Sequence, residues 1–134
     1  LVELPCTLEG IVEHGDERGR TIGFPTANIA VSADVVLPAE GVYAGWYTRP
    51  DGARHMAAIN VGRRPTFYPE NGVLLVEAFL LDFDGDLYDE HAQLEITHWL
   101  RGEVRFDSVD ELVVQMHRDV DETRALLTAD ARGT

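Results

Sequence analysis

The sequence predicts a mainly β fold, a barrel or sandwich of short strands closed by one C-terminal helix. Three observations carry this. Over the first three-quarters of the chain, short apolar runs are broken repeatedly by Gly, Pro, Asn and Asp, the punctuation of strands and turns rather than of βαβ units. Asp51-Gly52 lies between two such runs with polar flanks, a strong hairpin signal. After Ser108 the period changes, and Val109, Leu112, Val113, Met116, Val120 and Leu127 fall on helical spacing. The chain has 134 residues, the size of one ordinary domain, and it can bury a sufficient core without disulfides or metals.

Leu1–Pro5 has neither a basic region nor a long apolar stretch, so it does not read as a signal peptide. It reads as a remnant of a linker, about residues 1–6. Candidate strands are Thr7–Glu13, Gly41–Tyr47, His55–Val61, Leu74–Leu81 and His91–Trp99, and Ile29-Ala30-Val31 reads as extended. Asp84-Gly85 separates the fourth strand from Asp86-Leu87-Tyr88 as Asp51-Gly52 separates the second from the third. Ser108-Val109-Asp110-Glu111 matches a capping box, with the Ser108 hydroxyl on a backbone N–H and Glu111 reaching back. The periodic stretch that follows predicts a helix of about five to six turns, with Glu and Asp on its outer face and a frayed tail from Ala129 to Thr134. Its apolar face must dock on the β-structure.

Composition narrows the function classes. Twenty-four Asp and Glu oppose 11 Lys and Arg, for a formal net charge of −13. Such a surface repels phosphate backbones and anionic membranes, but it can accept a nucleotide that arrives with a divalent cation. The charge by itself asks for no more than solubility. The single cysteine, Cys6, cannot form an internal disulfide and reads as a small core residue in a reducing, cytoplasmic setting. No apolar run approaches the ~20 residues of a membrane span.

The densest unusual stretch runs from Gly15 through Gly19, Arg20, Gly23 and Pro25 to Thr26 and Asn28. Its glycines let backbone approach a ligand closely, Arg18 and Arg20 are rare cations, and Thr26 and Asn28 offer oxygens to a hard cation such as Mg²⁺. It is no Walker A loop, because the glycine spacing is short and Arg20 stands in place of Lys. Composition leaves it open between a phosphate–metal site and a Gly-rich hairpin loop.

Glu77 sits inside the apolar run Leu74–Leu81 and shares one face by alternation with Leu75 and Phe79. A carboxylate there is costly to bury unless it is paired or working as a base, and spacing alone favours a strand face open to water. The five histidines lack metal-ligand spacing. Asp82-Phe83-Asp84-Gly85-Asp86 starts like an EF-hand loop, but its Gly comes too early and the twelfth position is Gln93. Trp99, Arg101 and Phe106 can anchor a planar ring or simply close one end of the barrel.

Read together, these segments resemble the riboflavin kinase family, in particular the kinase module of bacterial bifunctional riboflavin kinase/FAD synthetases. The resemblance covers about Leu8 to Leu127. Its signature is Gly23-Phe24-Pro25-Thr26-Ala27-Asn28, preceded by Gly19-Arg20-Thr21-Ile22. Gly41–Gly45, Ala58–Gly62, Pro65-Thr66-Phe67, Val76–Tyr88, Leu100-Arg101 and Phe106-Asp107-Ser108 match in order. The resemblance implies a six-stranded antiparallel Greek-key β-barrel with a C-terminal helix, one kinase domain over residues 1–134, and ATP-dependent phosphorylation of riboflavin to FMN, with ADP as the other product.

By the same resemblance, Thr26 and Asn28 hold Mg²⁺ and the ATP phosphates, and the Gly15–Arg20 loop covers the nucleotide. Glu77 is the base for the riboflavin 5′-hydroxyl. Asp82, Asp84 and Tyr88 line the adenine side, and Arg101, Phe106, Ser108 and Leu112 hold the isoalloxazine end. The chain is expected to act as a monomer, without nucleic-acid or membrane partners. The family's N-terminal adenylyltransferase domain is not in this sequence, so FAD synthesis is not expected of it. Two positions depart from the pattern. Asp89 stands where Gly is usual, which Asp tolerates if φ must be positive, and Arg63-Arg64 replaces other polar residues.

Overall fold

A computed structural model of the chain describes residues 3–13, 26–32, 35–64 and 73–132. Their elements are β1 (Cys6–Glu13), β2 (Ala27–Ala30), β3 (Gly41–Thr48), β4 (Arg54–Arg64), β5 (Val73–Leu80), β6 (His91–Arg101) and a helix, α1 (Val109–Arg132). The strands close into a barrel in the order β1-β2-β5-β4-β3-β6, with β6 paired again to β1. All the pairings are antiparallel, and closure leaves no free edge. β3, β4 and β5 follow one another and β6 returns beside β3, a Greek key.

Alternation decides what fills the barrel. Leu8, Val12, Ile29, Tyr43, Tyr47, Ile59, Val61, Val76, Ala78, Leu80, Leu94 and Ile96 all point inward and form one buried cluster. β3 coils tightly against its neighbour, since a Cβ on Gly45 would lie 2.1 Å from the Glu95 carbonyl oxygen; only glycine allows that approach. The Asp51-Gly52 hairpin is confirmed. Gly52 has φ +91°, and the Asp51 carboxylate accepts a 3.0 Å hydrogen bond from the Ala53 N–H. Cys6 is a free thiol at the margin of the core.

α1 lies across the outer face of β3, β4 and β6, with Leu127 fully buried. The Ser108 hydroxyl accepts from the Glu111 N–H at 3.1 Å. Glu111 reaches back to the N–H of Asp107, at 3.0 Å, one residue before the expected partner. The helix is longer than its periodicity suggests. It continues to Arg132, so Ala129–Arg132, expected to fray, is helical. His98 of β6 and Asp130 are 3.3 Å apart across this end, a contact that spacing within α1 cannot reveal.

Two strand readings are corrected. β2 includes Ala27 and Asn28 and ends at Ala30, being too short for period-2 alternation to mark it. Asp86-Leu87-Tyr88 is not a strand. The Asp86 carboxylate accepts from the Tyr88 N–H at 2.8 Å, and such an Asx turn competes with extended backbone. Asp89 then takes φ +68° and donates its N–H to the Val12 carbonyl at 2.8 Å. The position where glycine was expected does need positive φ.

Candidate active site

Strand register assembles the centre of the site. Glu77 on β5 lies directly opposite Asn28 on β2 and Asn60 on β4. Asn60 is opposite Val42 on β3, and Val42 is opposite Arg101 on β6. Directly paired residues point to the same side of a sheet. Asn28, Glu77, Asn60, Val42 and Arg101 therefore form one transverse row over five strands, on the outer wall of the barrel. The inward neighbours of Glu77, Val76 and Ala78, are each 1% exposed. One strand thus contributes to the core with one face and to chemistry with the other.

Two clefts meet on this wall. The first lies between barrel and helix, and its lining includes Glu77, Asn60, Phe79, Phe106, Leu112 and Met116. The second lies under the β5–β6 connection, where Phe83, Asp84, Leu87 and Tyr88 face Val12 and Leu80. Thr26 and Phe79 line both. At this seam the Thr26 hydroxyl donates a 3.0 Å hydrogen bond to Glu77 Oε2. Asn28 is 9% exposed, and its Oδ1 is buried without a hydrogen-bond partner among the described residues. Such an orphan acceptor is costly unless a ligand completes it.

Arg101 braces the first cleft. Its Nε and Nη2 reach the two carboxylate oxygens of Asp119 on α1, at 2.9 and 2.7 Å. Gln115 Nε2 donates to Asp119 Oδ1 at 3.0 Å, and the Arg101 guanidinium carbon lies 5.9 Å from the Phe106 ring centre. The Asp119 side chain is only 7% exposed, so the two charges need each other. Glu103 is exposed at the rim, and its carboxyl is raised, first by partial desolvation and further by the nearby Glu40 and Glu77 carboxylates, while Arg101 opposes this.

The structure brings together most of the residues singled out in the sequence. Thr26, Asn28 and Glu77 are neighbours at the seam, Arg101, Phe106 and Leu112 line the first cleft, and Asp84 and Tyr88 line the second. Ser108 caps the helix, outside the cleft lining. Asp82 points elsewhere, with its carboxylate paired to Arg124 of α1 and its pKa lowered by that hydrogen bond. Gly15, Gly19, Arg20, Gly23 and Pro25 lie outside the described residues.

Asn60 and Asp119 were not singled out, although each left a signal. Asn60 has the parity of the outer face of β4, since Ile59 and Val61 point inward. Asp119 falls on the barrel-facing stripe with the half-buried Leu112 and Met116 and the buried Thr123 and Leu127, an acid at a core position.

Comparison with known proteins bears on the family and the fold. The riboflavin kinase family profile, Flavokinase, matches residues 2–127. A bifunctional riboflavin kinase/FMN adenylyltransferase of Listeria monocytogenes is 41% identical over 125 residues, covering 93% of this chain and 39% of its own length. The Escherichia coli K12 protein of the same description is 43% identical over 115 residues, covering 86% and 36%. The chain thus spans about two-fifths of the length of these curated relatives. Among solved structures, a riboflavin kinase from Trypanosoma brucei matches with a TM-score of 0.70 and 30% identity, over 91% of this chain and 79% of that one. A Streptococcus pneumoniae chain described as a macrolide-efflux protein matches with a TM-score of 0.82 and 36% identity, over 90% and 38%.

Proposed function

The chain belongs to the riboflavin kinase family, and on that premise we propose that it transfers the γ-phosphoryl group of ATP to the 5′-hydroxyl of riboflavin, giving FMN and ADP. The observation that carries this is the seam. Thr26 belongs to both clefts and is bonded to Glu77, so an acceptor in one cleft and a nucleotide in the other meet at a carboxylate.

The isoalloxazine ring occupies the apolar space between Phe106, Leu112, Met116 and Phe79, with the ribityl chain directed along the row towards Glu77. Adenine takes the cleft edged by Phe83 and Tyr88. With Oε2 of Glu77 held by Thr26, Oε1 accepts the 5′-hydroxyl proton as the oxygen bonds to the γ-phosphorus and the bond to the β,γ-bridging oxygen breaks. Glu77 keeps the proton and ADP leaves. Phosphoryl transfer asks mainly for positioning and charge neutralisation, and the apolar cleft walls exclude competing water.

Thr26 and Asn28 are the residues that would hold Mg²⁺. They fit it, because the Asn28 Oδ1 is a buried acceptor without a partner among the described residues and hydroxyl and amide oxygens suit a hard cation. Bound there with the nucleotide, Mg²⁺ supplies positive charge against the phosphates of a chain whose own net charge is −13. Every residue invoked comes from one chain, so a monomer suffices. The adenylyltransferase activity in the relatives' names is assigned to the part of their length that this chain does not match, and FAD synthesis is not attributed to it.

No helix among the described residues is long and apolar enough to cross a membrane. The single cysteine in the sequence is what supports the cytoplasmic setting in this reading.

The test is FMN formation from riboflavin, ATP and Mg²⁺ by the purified chain, followed by chromatography of the flavins. Steady turnover is expected. Tight flavin binding with no FMN would reduce the chain to a binding module.

A further inference from the structure

Asn60 has no part in the reaction derived above, yet its position is constrained. It lies opposite Glu77 in the β4–β5 pairing, on the side of Glu77 away from Asn28 and towards Val42 and Arg101. It lines the first cleft together with Glu77. Its Oδ1 is buried without a hydrogen-bond partner among the described residues. An apolar side chain would cost less at that point if packing were the only demand, because a buried acceptor left unpaired forfeits its hydration. The terminal Asn torsion is soft and broad, so a small rotation can turn the amide into the cleft.

The row also sets a direction. Neighbouring strands are about 4.8 Å apart, so Asn28, Glu77 and Asn60 present a bare acceptor, a carboxylate and an amide at regular steps across the wall. Asn28 and Thr26 stand on the nucleotide side of Glu77. Asn60 stands on the other side, between Glu77 and the ring-sized apolar space near Phe106. The row runs from Glu77 through Asn60 and Val42 to Arg101, whose guanidinium carbon lies 5.9 Å from the Phe106 ring centre, so a chain laid along the row from that end reaches Asn60 before Glu77. An amide both donates and accepts hydrogen bonds, which is the complement of a secondary alcohol.

We propose that Asn60 is a substrate-positioning residue that hydrogen-bonds a secondary hydroxyl of the ribityl chain and so places the terminal hydroxyl at Glu77. This rests on the kinase reading and extends it to specificity. The site selects acceptors that carry a polyol chain over acceptors with a plain alkyl alcohol, because only a polyol completes the Asn60 amide.

The test pairs a variant with substrate analogues. Asn60→Ala should raise KM and lower kcat for riboflavin, with kcat/KM down about tenfold, the scale of one lost hydrogen bond. KM for Mg·ATP should stay unchanged, and the melting temperature should hold or rise slightly, since the substitution removes a buried acceptor that is unpaired in the free fold. Asn60→Ser, which keeps a hydroxyl, should recover part of the loss. One of the 2′-, 3′- or 4′-deoxyriboflavins should be about as poor with wild type as riboflavin is with Asn60→Ala, and the substitution should not weaken that analogue further. Wild-type kcat/KM in Asn60→Ala would overturn the proposal, and so would equal losses for riboflavin and all three analogues. Wild-type FMN formation and flavin-fluorescence titration of riboflavin run beside these assays. Turnover with an indifferent Asn60 removes this inference alone, whereas absence of both turnover and binding removes the kinase reading and the inference with it.

Discussion

The two clefts that meet at Thr26 are built differently. The helix-side cleft is walled by strands β3, β4 and β5 and by α1, and a buried ion pair, Arg101 with Asp119, fixes the helix against the barrel. The turn-side cleft has the barrel on one side and the turns of the β5–β6 connection on the other. Those turns are held by local bonds such as Tyr88 N–H to Asp86, and by the Asp89 N–H to Val12. The first is lined largely by apolar side chains from paired elements. The second presents polar turn residues, Asp84 and Asp86, beside Phe83 and Tyr88. In the proposed reading, enclosure by paired elements suits a flat ring, while a polar turn suits a nucleotide that brings its own charge and metal. Only the seam belongs to both.

The comparison breaks first at the seam. Glu77→Gln keeps the shape and the Thr26 contact but removes the base. The kcat should fall by roughly 10²–10⁴-fold, the usual scale for a general base, with little change in KM for either substrate. Wild-type kcat in that variant would end the assignment.

Asp119→Ala sharpens the contrast between the clefts. It leaves the Arg101 guanidinium, 19% exposed on its side chain, without its counter-charge. A cost of about 3 kcal/mol is expected from the loss of one partner of such a pair, read by denaturant unfolding. Riboflavin affinity should fall and nucleotide affinity hold, and equal losses in both would show that the clefts are not independent.

On the other side of Glu77, Asn28→Ala should weaken Mg·ATP about tenfold while the melting temperature holds or rises slightly. The acceptor it removes is unpaired in the free fold, so its loss takes away ligand contacts and little else.

The smallest effect is electrostatic and sits at the rim of the helix-side cleft. The Glu103 carboxyl is held above its usual value of 4.5 by partial desolvation and by neighbouring carboxylates. A raised acid binds its proton more tightly in the fold, so its contribution is most favourable below pH 4.5 and is lost as pH rises through the folded value. Glu103→Gln should therefore give a small rise in melting temperature near pH 7 that vanishes near pH 4. A rise of the same size at both pH values would point to packing instead.

Much of this was legible from residue order. The five longer strands carry β-rich apolar runs, and the Asp51-Gly52 turn and the Ser108 cap are local signals read by local chemistry. β2 was nearly invisible because four residues carry too little periodicity, and Asp86–Tyr88 misled because an Asx turn imitates the edge of a strand. Glu77 was ambiguous for a deeper reason. Alternation put it on the face opposite Val76 and Ala78 but could not say whether water or a helix covered that face.

The sequence by itself determined the inward and outward sets of the strands, the amphipathic helix, the cap and the family signature that points to phosphoryl transfer. Each depends on residues within a few positions of one another or on a motif read whole. Only the tertiary structure decided the rest. Closing the barrel in the order β1-β2-β5-β4-β3-β6 put Asn28, Glu77 and Asn60 side by side, joined Arg101 to Asp119, and turned Asp82 away to Arg124. Register between strands distant in the chain is a property of the whole packed barrel, since a slip of one residue would turn Glu77 into the core and Val76 out to the cleft.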